Sequence, residues 1–174
     1  MKTMFLLFLV SIVFVGCGPT LQVVKGNYQN KPFEIYSDKS QDEVWKKIIE
    51  LFSTNGISIR LIDKSSGLII SEKNSFTSNS TVEDDKGIPK NPSAFVVCDK
   101  AHYTINTYEP YLVTGEWNIR IASKNDKTLI NINLLNIQYR YKTEIFLTQG
   151  QDIGVLGSGK STGVFEKTIA DYIK

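Results

Sequence analysis

The segment with the sharpest chemical outline is Gly154-Val-Leu-Gly-Ser-Gly159-Lys160-Ser161. Its spacing, G-x-x-x-x-G-K-S, is the one in which backbone amides cradle phosphates and a lysine offsets their charge. That chemistry needs a surrounding nucleotide domain, with a later strand supplying an acid for magnesium. Here only enough chain for one helix follows Ser161, so the segment is read as a glycine-rich link ending in a helix cap, and no nucleotide is expected. His102 is the sole histidine. A hydrolase built on it would need an acid partner, Asp99 or Glu109, and a nucleophile brought close by the fold. Glu83, Asp84 and Asp85 are adjacent acids that read as a solvated turn sooner than as a cation site. No spacing suits zinc or calcium, and neither a metal nor a cofactor is expected. The aromatic residues Tyr103, Tyr108, Tyr111, Trp117, Tyr139 and Tyr141 lie in the strand-rich half beside His102. They can be cross-strand pairs that stabilise a sheet or a face for a protein or peptide partner, with Tyr103, Tyr108 and Tyr111 as anchors.

The first residues carry a different message. Lys2 precedes an apolar run from Met4 to Val15, and about twelve apolar residues are too few to cross a hydrocarbon core of roughly 30 Å. A basic start and a short apolar stretch fit a signal peptide over residues 1–16. Phe14-Val15-Gly16-Cys17 then resembles the lipobox of bacterial lipoproteins, in which small residues admit the peptidase and the cysteine thiol takes a diacylglyceryl group. Phe14 and Val15 depart from that family's commonest residues, and an ordinary secretory signal with Cys17 inside the fold is the alternative. With Cys17 acylated as a palmitate-type membrane anchor, Cys98 has no partner in the chain for a disulfide and reads as a small buried strand residue. The formal charge of +2 implies neither nucleic acid nor an anionic surface as partner.

Elements that must position these residues follow from periodicity. Residues 17–31 hold glycine, proline and asparagine with little pattern and read as a lipidated tether. Residues 32–174 then make a single domain. A short strand at Phe33–Tyr36 precedes Ser40-Gln-Asp-Glu43, a capping box. Val44, Trp45, Ile48, Ile49 and Phe52 fall on one helical stripe, and Asn55-Gly56 ends it, which predicts a helix over 41–54 with Trp45 and Ile49 in the core. Alternation at Ile57–Leu61 and Leu68–Ser71 around Lys64-Ser-Ser-Gly67 predicts a hairpin. Residues 74–93, rich in serine, asparagine and glycine, read as one long mobile loop. Further strands are predicted at 94–99, 103–108, 113–121 and 130–141, the last two joined by a hairpin at Ser123–Lys127. The inward phase of the last strand slips from Ile130, Ile132 and Leu134 to Leu135, Ile137, Tyr139 and Tyr141, which predicts a bulge near Leu134 and Leu135. Val164, Phe165, Ile169, Tyr172 and Ile173 predict a closing helix capped by Ser161 or Thr162.

The segments Ser40–Glu50, Asn55–Ile59 and Lys64–Glu72 together resemble the helix and hairpin of the C component of the outer-membrane β-barrel assembly machinery. The likeness covers residues 33–73 and implies a helix-grip arrangement without catalysis; none of that family's binding residues match positions here. The expected fold is therefore α+β, a curved antiparallel sheet of about five to seven strands packed against two helices, helix-grip-like. The expected function is a lipid-anchored, non-enzymatic binding or assembly module for a protein or peptide partner in the cell envelope. Two rivals remain: an envelope hydrolase acting on cell wall or lipid, and a small inhibitor or immunity lipoprotein using loop 74–93 as its contact. Gly18, standing where an aspartate commonly retains such proteins in the inner membrane, favours the outer membrane facing the periplasm in a Gram-negative cell.

Overall fold

The computed structural model describes residues 20–28, 31–103, 106–142, 152–153 and 159–174; for Tyr103, Lys142, Asp152 and Ile153 it describes the backbone alone. Residues 1–16, expected as a signal peptide, together with Cys17 and most of the glycine-rich link, lie outside the described residues. In chain order the strands and helices begin with β1 (Thr20–Gln22), β2 (Phe33–Ser37), α1 (Gln41–Thr54), β3 (Ile59–Asp63), β4 (Leu68–Ser71) and β5 (Asn74–Ser75). After a 3₁₀ turn at Thr77–Asn79 come β6 (Ser80–Val82), β7 (Val96–Cys98), β8 (Lys100–Tyr103) and β9 (Asn106–Tyr108). The chain closes with β10 (Leu112–Lys124), β11 (Lys127–Lys142), β12 (Asp152–Ile153), β13 (Lys160–Ser161) and α2 (Val164–Ile173).

The first helix forms where its caps dictate. Ser40 Oγ accepts the Glu43 amide at 3.3 Å while Glu43 Oε2 accepts the Ser40 amide at 2.9 Å, so two otherwise orphaned donors are satisfied reciprocally. At the far end the Asn55 amide returns to the Leu51 carbonyl, and Gly56 turns the chain with φ +66°. The buried stripe is Val44, Ile48, Leu51 and Phe52. Trp45 and Ile49 pack against the core but are only partly buried, which corrects their expected place within it: the buried stripe is centred on Val44, Ile48, Leu51 and Phe52, and they lie at its edge.

The architecture is α+β. The largest sheet has seven strands, ordered β12-β11-β10-β4-β3, with β2 also on β11 and β5 also on β10. Two smaller sheets, β1-β8-β9 and β13-β7-β6, carry the strand total beyond the five to seven expected. At the centre lies the long β10–β11 hairpin, antiparallel from Leu112↔Arg140 to Lys124↔Lys127. Its two-residue turn needs positive φ at both central positions, and Asn125 (51°) and Asp126 (60°) supply it. The register breaks between Thr114 and Glu116, opposite Asn136 with φ 53°. This is the predicted bulge, a residue or two beyond Leu134 and Leu135; it keeps Leu134, Tyr139 and Tyr141 on the buried side, and Leu135, expected on the inward phase, faces out because the phase changes only after it.

Both helices pack on that face. Trp117 of β10, 0 % exposed, stacks on Phe165 of α2 with centroids 4.3 Å apart and planes 28° apart. Phe76 meets the same indole edge-on at 5.8 Å, and Phe52 of α1 approaches Phe165 at 6.4 Å. These aromatic contacts tie sheet, both helices and the polar middle segment into one core.

Four further expectations are corrected. Residues 74–93 are not one featureless loop: they contain β5, the 3₁₀ turn, β6 and an isolated bridge from Glu83 to Pro89, and Phe76 and Val82 are buried in the domain. Polar composition concealed this, because β6 runs parallel to β7 and most of its hydrogen bonding is backbone. Within the expected tether 17–31, residues 20–22 are a strand on β8. The single strand expected at 103–108 is instead divided: Tyr103 ends β8, and residues 106–108 form β9, paired antiparallel with it. The cap of α2 is Gly163, with φ +86°; Ser161 and Thr162 still serve that end, accepting the amides of Gly163 and Val164 at 3.1 and 3.3 Å.

Candidate functional site

β8 sets His102 in the middle of a cross-strand row, opposite Thr20 on one side and Thr107 on the other. Its Nε2 lies 2.8 Å from Gln22 Oε1 and its Nδ1 2.9 Å from Thr107 Oγ1. Since the amide oxygen can only accept, Nε2 carries the proton and Nδ1 accepts from the threonine hydroxyl. The two acids proposed as its partners are engaged elsewhere. Glu109 pairs with Lys90 at 2.6 Å. Asp99, 6 % exposed, accepts the Val24 amide on Oδ1 at 3.0 Å and the Tyr139 hydroxyl on Oδ2 at 2.7 Å. The pairing of His102 with Asp99 or Glu109 is thus contradicted: among the described residues, Gln22 and Thr107, not a carboxylate, orient the imidazole.

Asp99 instead organises a buried polar knot. Its backbone carbonyl accepts the Tyr141 hydroxyl at 2.6 Å, and the two tyrosine rings meet edge-on at 5.5 Å. Burial, with the neighbouring Asp99, pushes both phenols well above the ordinary tyrosine range, so they stay protonated donors. Tyr139, Tyr141 and Trp117 therefore leave the surface aromatic group and belong to the core. Cys98, beside them and 1 % exposed, has its thiol pushed up to about 12 by burial and by Asp99, which keeps it an unreactive thiol.

Of the three partner-face candidates, Tyr111 is 43 % exposed, at the start of β10 with its amide on the Arg140 carbonyl. Tyr108 is partly buried against the core. The side chain of Tyr103 lies outside the described residues. Other exposed apolar side chains sit on the edge strand β3, Leu61 and Ile62.

The acidic trio divides. Asp84 caps its own turn, accepting the amides of Lys86 and Ile88, both at 2.9 Å. Glu83 is not solvated: at 5 % exposure it accepts the Lys25 amide on Oε2 at 2.6 Å and the Gly26 amide on Oε1 at 2.8 Å. Burial pushes its carboxyl up, but these amides outweigh burial and hold it below the ordinary glutamate value. A side chain at Gly26 would bring its Cβ within 2.7 Å of Glu83 Oε1, so only glycine lets the carboxylate approach so closely. Sequence reading missed this clamp because its two halves are separated by 57 residues.

Lys160 and Ser161 form β13, paired with β7, and the Ser161 hydroxyl donates to Glu166 Oε1 at 2.6 Å. A serine committed to a strand and a carboxylate is not presented for a magnesium–phosphate group. Glu166 is 1 % exposed, and burial raises its carboxyl despite the serine. It lines a cleft of about 210 Å³ with Phe33, Ile132, Leu134, Ile137 and Lys160. No group of histidine, cysteine or acidic side chains among the described residues could hold a metal ion. No helix among them is long and apolar enough to cross a membrane. No family model matches the chain, and no curated protein matches its sequence.

Proposed function

We propose that this chain is a lipid-anchored cell-envelope protein, held by acyl chains on Cys17, whose domain is a non-enzymatic binding or assembly module for a protein or peptide. The observation that carries the non-enzymatic reading is the state of His102. Its two nitrogens are spent on Gln22 and Thr107, while Asp99 and Glu109 are tied into the knot and an ion pair. The buried carboxylates Glu83 and Asp99 serve backbone amides, which is architecture. Support for the anchor is the lipobox at Phe14–Cys17. Support for a partner face is Tyr111, a large amphipathic side chain left exposed between the half-buried Pro110 and Leu112.

Two experiments test this. Labelled palmitate enters the wild-type chain in an envelope-exporting bacterium and does not enter Cys17→Ser; label in the variant overturns the anchor. Photocrosslinking from position 111 in intact envelopes yields a discrete adduct that competes with unlabelled domain. Absence of any adduct there, together with hydrolysis of peptidoglycan or phospholipid lost in His102→Ala, overturns the binding-module reading.

A further inference from the structure

We infer that residues 20–28 are a fixed strap and not a free tether, and that the strap seats the Thr20–His102–Thr107 end of the β1-β8-β9 sheet on the headgroup layer of the bilayer. The inference rests on the acylation of Cys17 proposed above. Three consecutive backbone amides, those of Val24, Lys25 and Gly26, are held by two buried carboxylates from different parts of the chain, Asp99 and Glu83. Ahead of them β1 pairs with β8 along Thr20↔His102, Leu21↔Ala101 and Gln22↔Lys100, and Leu21 packs on the core. Charge-assisted bonds of this kind are the stronger class, and buried ones are costly to leave unmade.

The consequence is one of reach. If residues 17–31 were free, about 14 residues would separate the lipid from the domain, with a contour near 50 Å and a typical span of about 20 Å. With the strap docked, the only chain left between the acylated cysteine and β1 is Cys17 to Thr20, at most about 10 Å. The polar headgroup layer is itself about 5–8 Å deep on each side. Thr20 therefore stands at its outer boundary, and what lies level with Thr20 across the sheet meets the headgroups. Level with it are His102 and Thr107, with Asn106 next in the strand. Thr20, Asn106 and Thr107 are exposed. The row exposes the Thr20 hydroxyl and the Asn106 amide and has no carboxylate, while His102 and Thr107 are paired with Gln22 and with each other, an uncharged polar surface that can face headgroups without needing an anionic lipid.

The test uses the full lipoprotein with Asn106→Cys carrying a fluorophore, since Cys17 is acylated and Cys98 is buried. It is reconstituted in phosphatidylcholine vesicles doped with a headgroup-nitroxide phosphatidylcholine, a contact-range quencher. Strong quenching is expected, falling several-fold when a Gly-Ser insert of about ten residues, with a typical span of about 17 Å, is placed between Pro19 and Thr20. Gly26→Ala, which cannot accept Glu83 so closely, is expected to reduce quenching while the melting transition of the domain persists. An unquenched label on protein that carries palmitate overturns the strap and leaves the anchor standing. Absence of palmitate overturns both. Quenching unchanged by the insert overturns the claim that tether length sets the contact.

Discussion

Trp117→Ala should be among the most damaging single changes outside the turns, and its cost can be worked from its contacts. The indole is fully buried, stacked on Phe165 and met edge-on by Phe76. Truncating a buried tryptophan typically costs about 3–5 kcal/mol, from lost transfer energy and the cavity left behind. Each aromatic pair adds about 0.5–1.5 kcal/mol beyond its area. One contribution runs the other way: the indole Nε1 is buried with no hydrogen-bond partner among the described residues, and removing an unsatisfied donor returns about 1–3 kcal/mol. The net loss should be about 3–5 kcal/mol, against a usual total of about 5–15 kcal/mol. For a domain of this size that corresponds to a fall in Tm of about 6–20 °C. Trp45→Ala is the comparison. Trp45 only flanks the α1 stripe, so it should lose roughly half the apolar area and about 1–2 kcal/mol. Thermal melts of both variants, followed by far-UV circular dichroism in the same background, separate the two. A Trp45→Ala shift equal to or larger than that of Trp117→Ala would refute the assignment of the core to the β10–α2 stack.

Glu166→Gln should raise Tm near neutral pH and leave it unchanged in acid. The wild-type carboxyl titrates above its ordinary value because it is buried, so its stabilising protonated form is complete below the ordinary pKa of 4.5 and is lost as pH rises through the raised folded value. A pH series of melts in which the variant gains nothing near neutrality sinks this. Glu83→Gln should flatten the acid limb of the same series: its carboxyl is held low by the strap amides, contributes above 4.5, and loses that contribution as pH falls through the lowered folded value. Gly67→Ala should prevent stable folding. Gly67 has φ +69° and an added Cβ would lie 1.9 Å from the Ile121 carbonyl oxygen, and a well-populated native state by circular dichroism would contradict the turn geometry. Lys160→Ala should change Tm by no more than about 0.5 kcal/mol's worth, with ATP binding absent in both forms by calorimetry.

Local rules were legible in the residues themselves. The capping box at Ser40 and Glu43, the stop at Asn55-Gly56, the Asn125-Asp126 turn and the phase slip after Leu134 each depend on atoms within a few positions of one another. Sequence order alone therefore fixes their outcome. The α+β class followed from counting such elements. What tertiary structure decided was every partnership across long separations. Glu83 reads as part of a solvated acidic turn and Asp99 as an acid for His102, yet the fold buries both on the amides of residues 24–26, 57 or more positions away. Tyr139 and Tyr141 could be placed on the inward phase of their strand, but not the Asp99 partner over which their hydroxyls close. A polar side chain carries no local sign of whether the chain will bring it a partner. Desolvation and hydrogen bonding are settled together only when the strands meet, and that is why the helices could be read in advance and the strap could not.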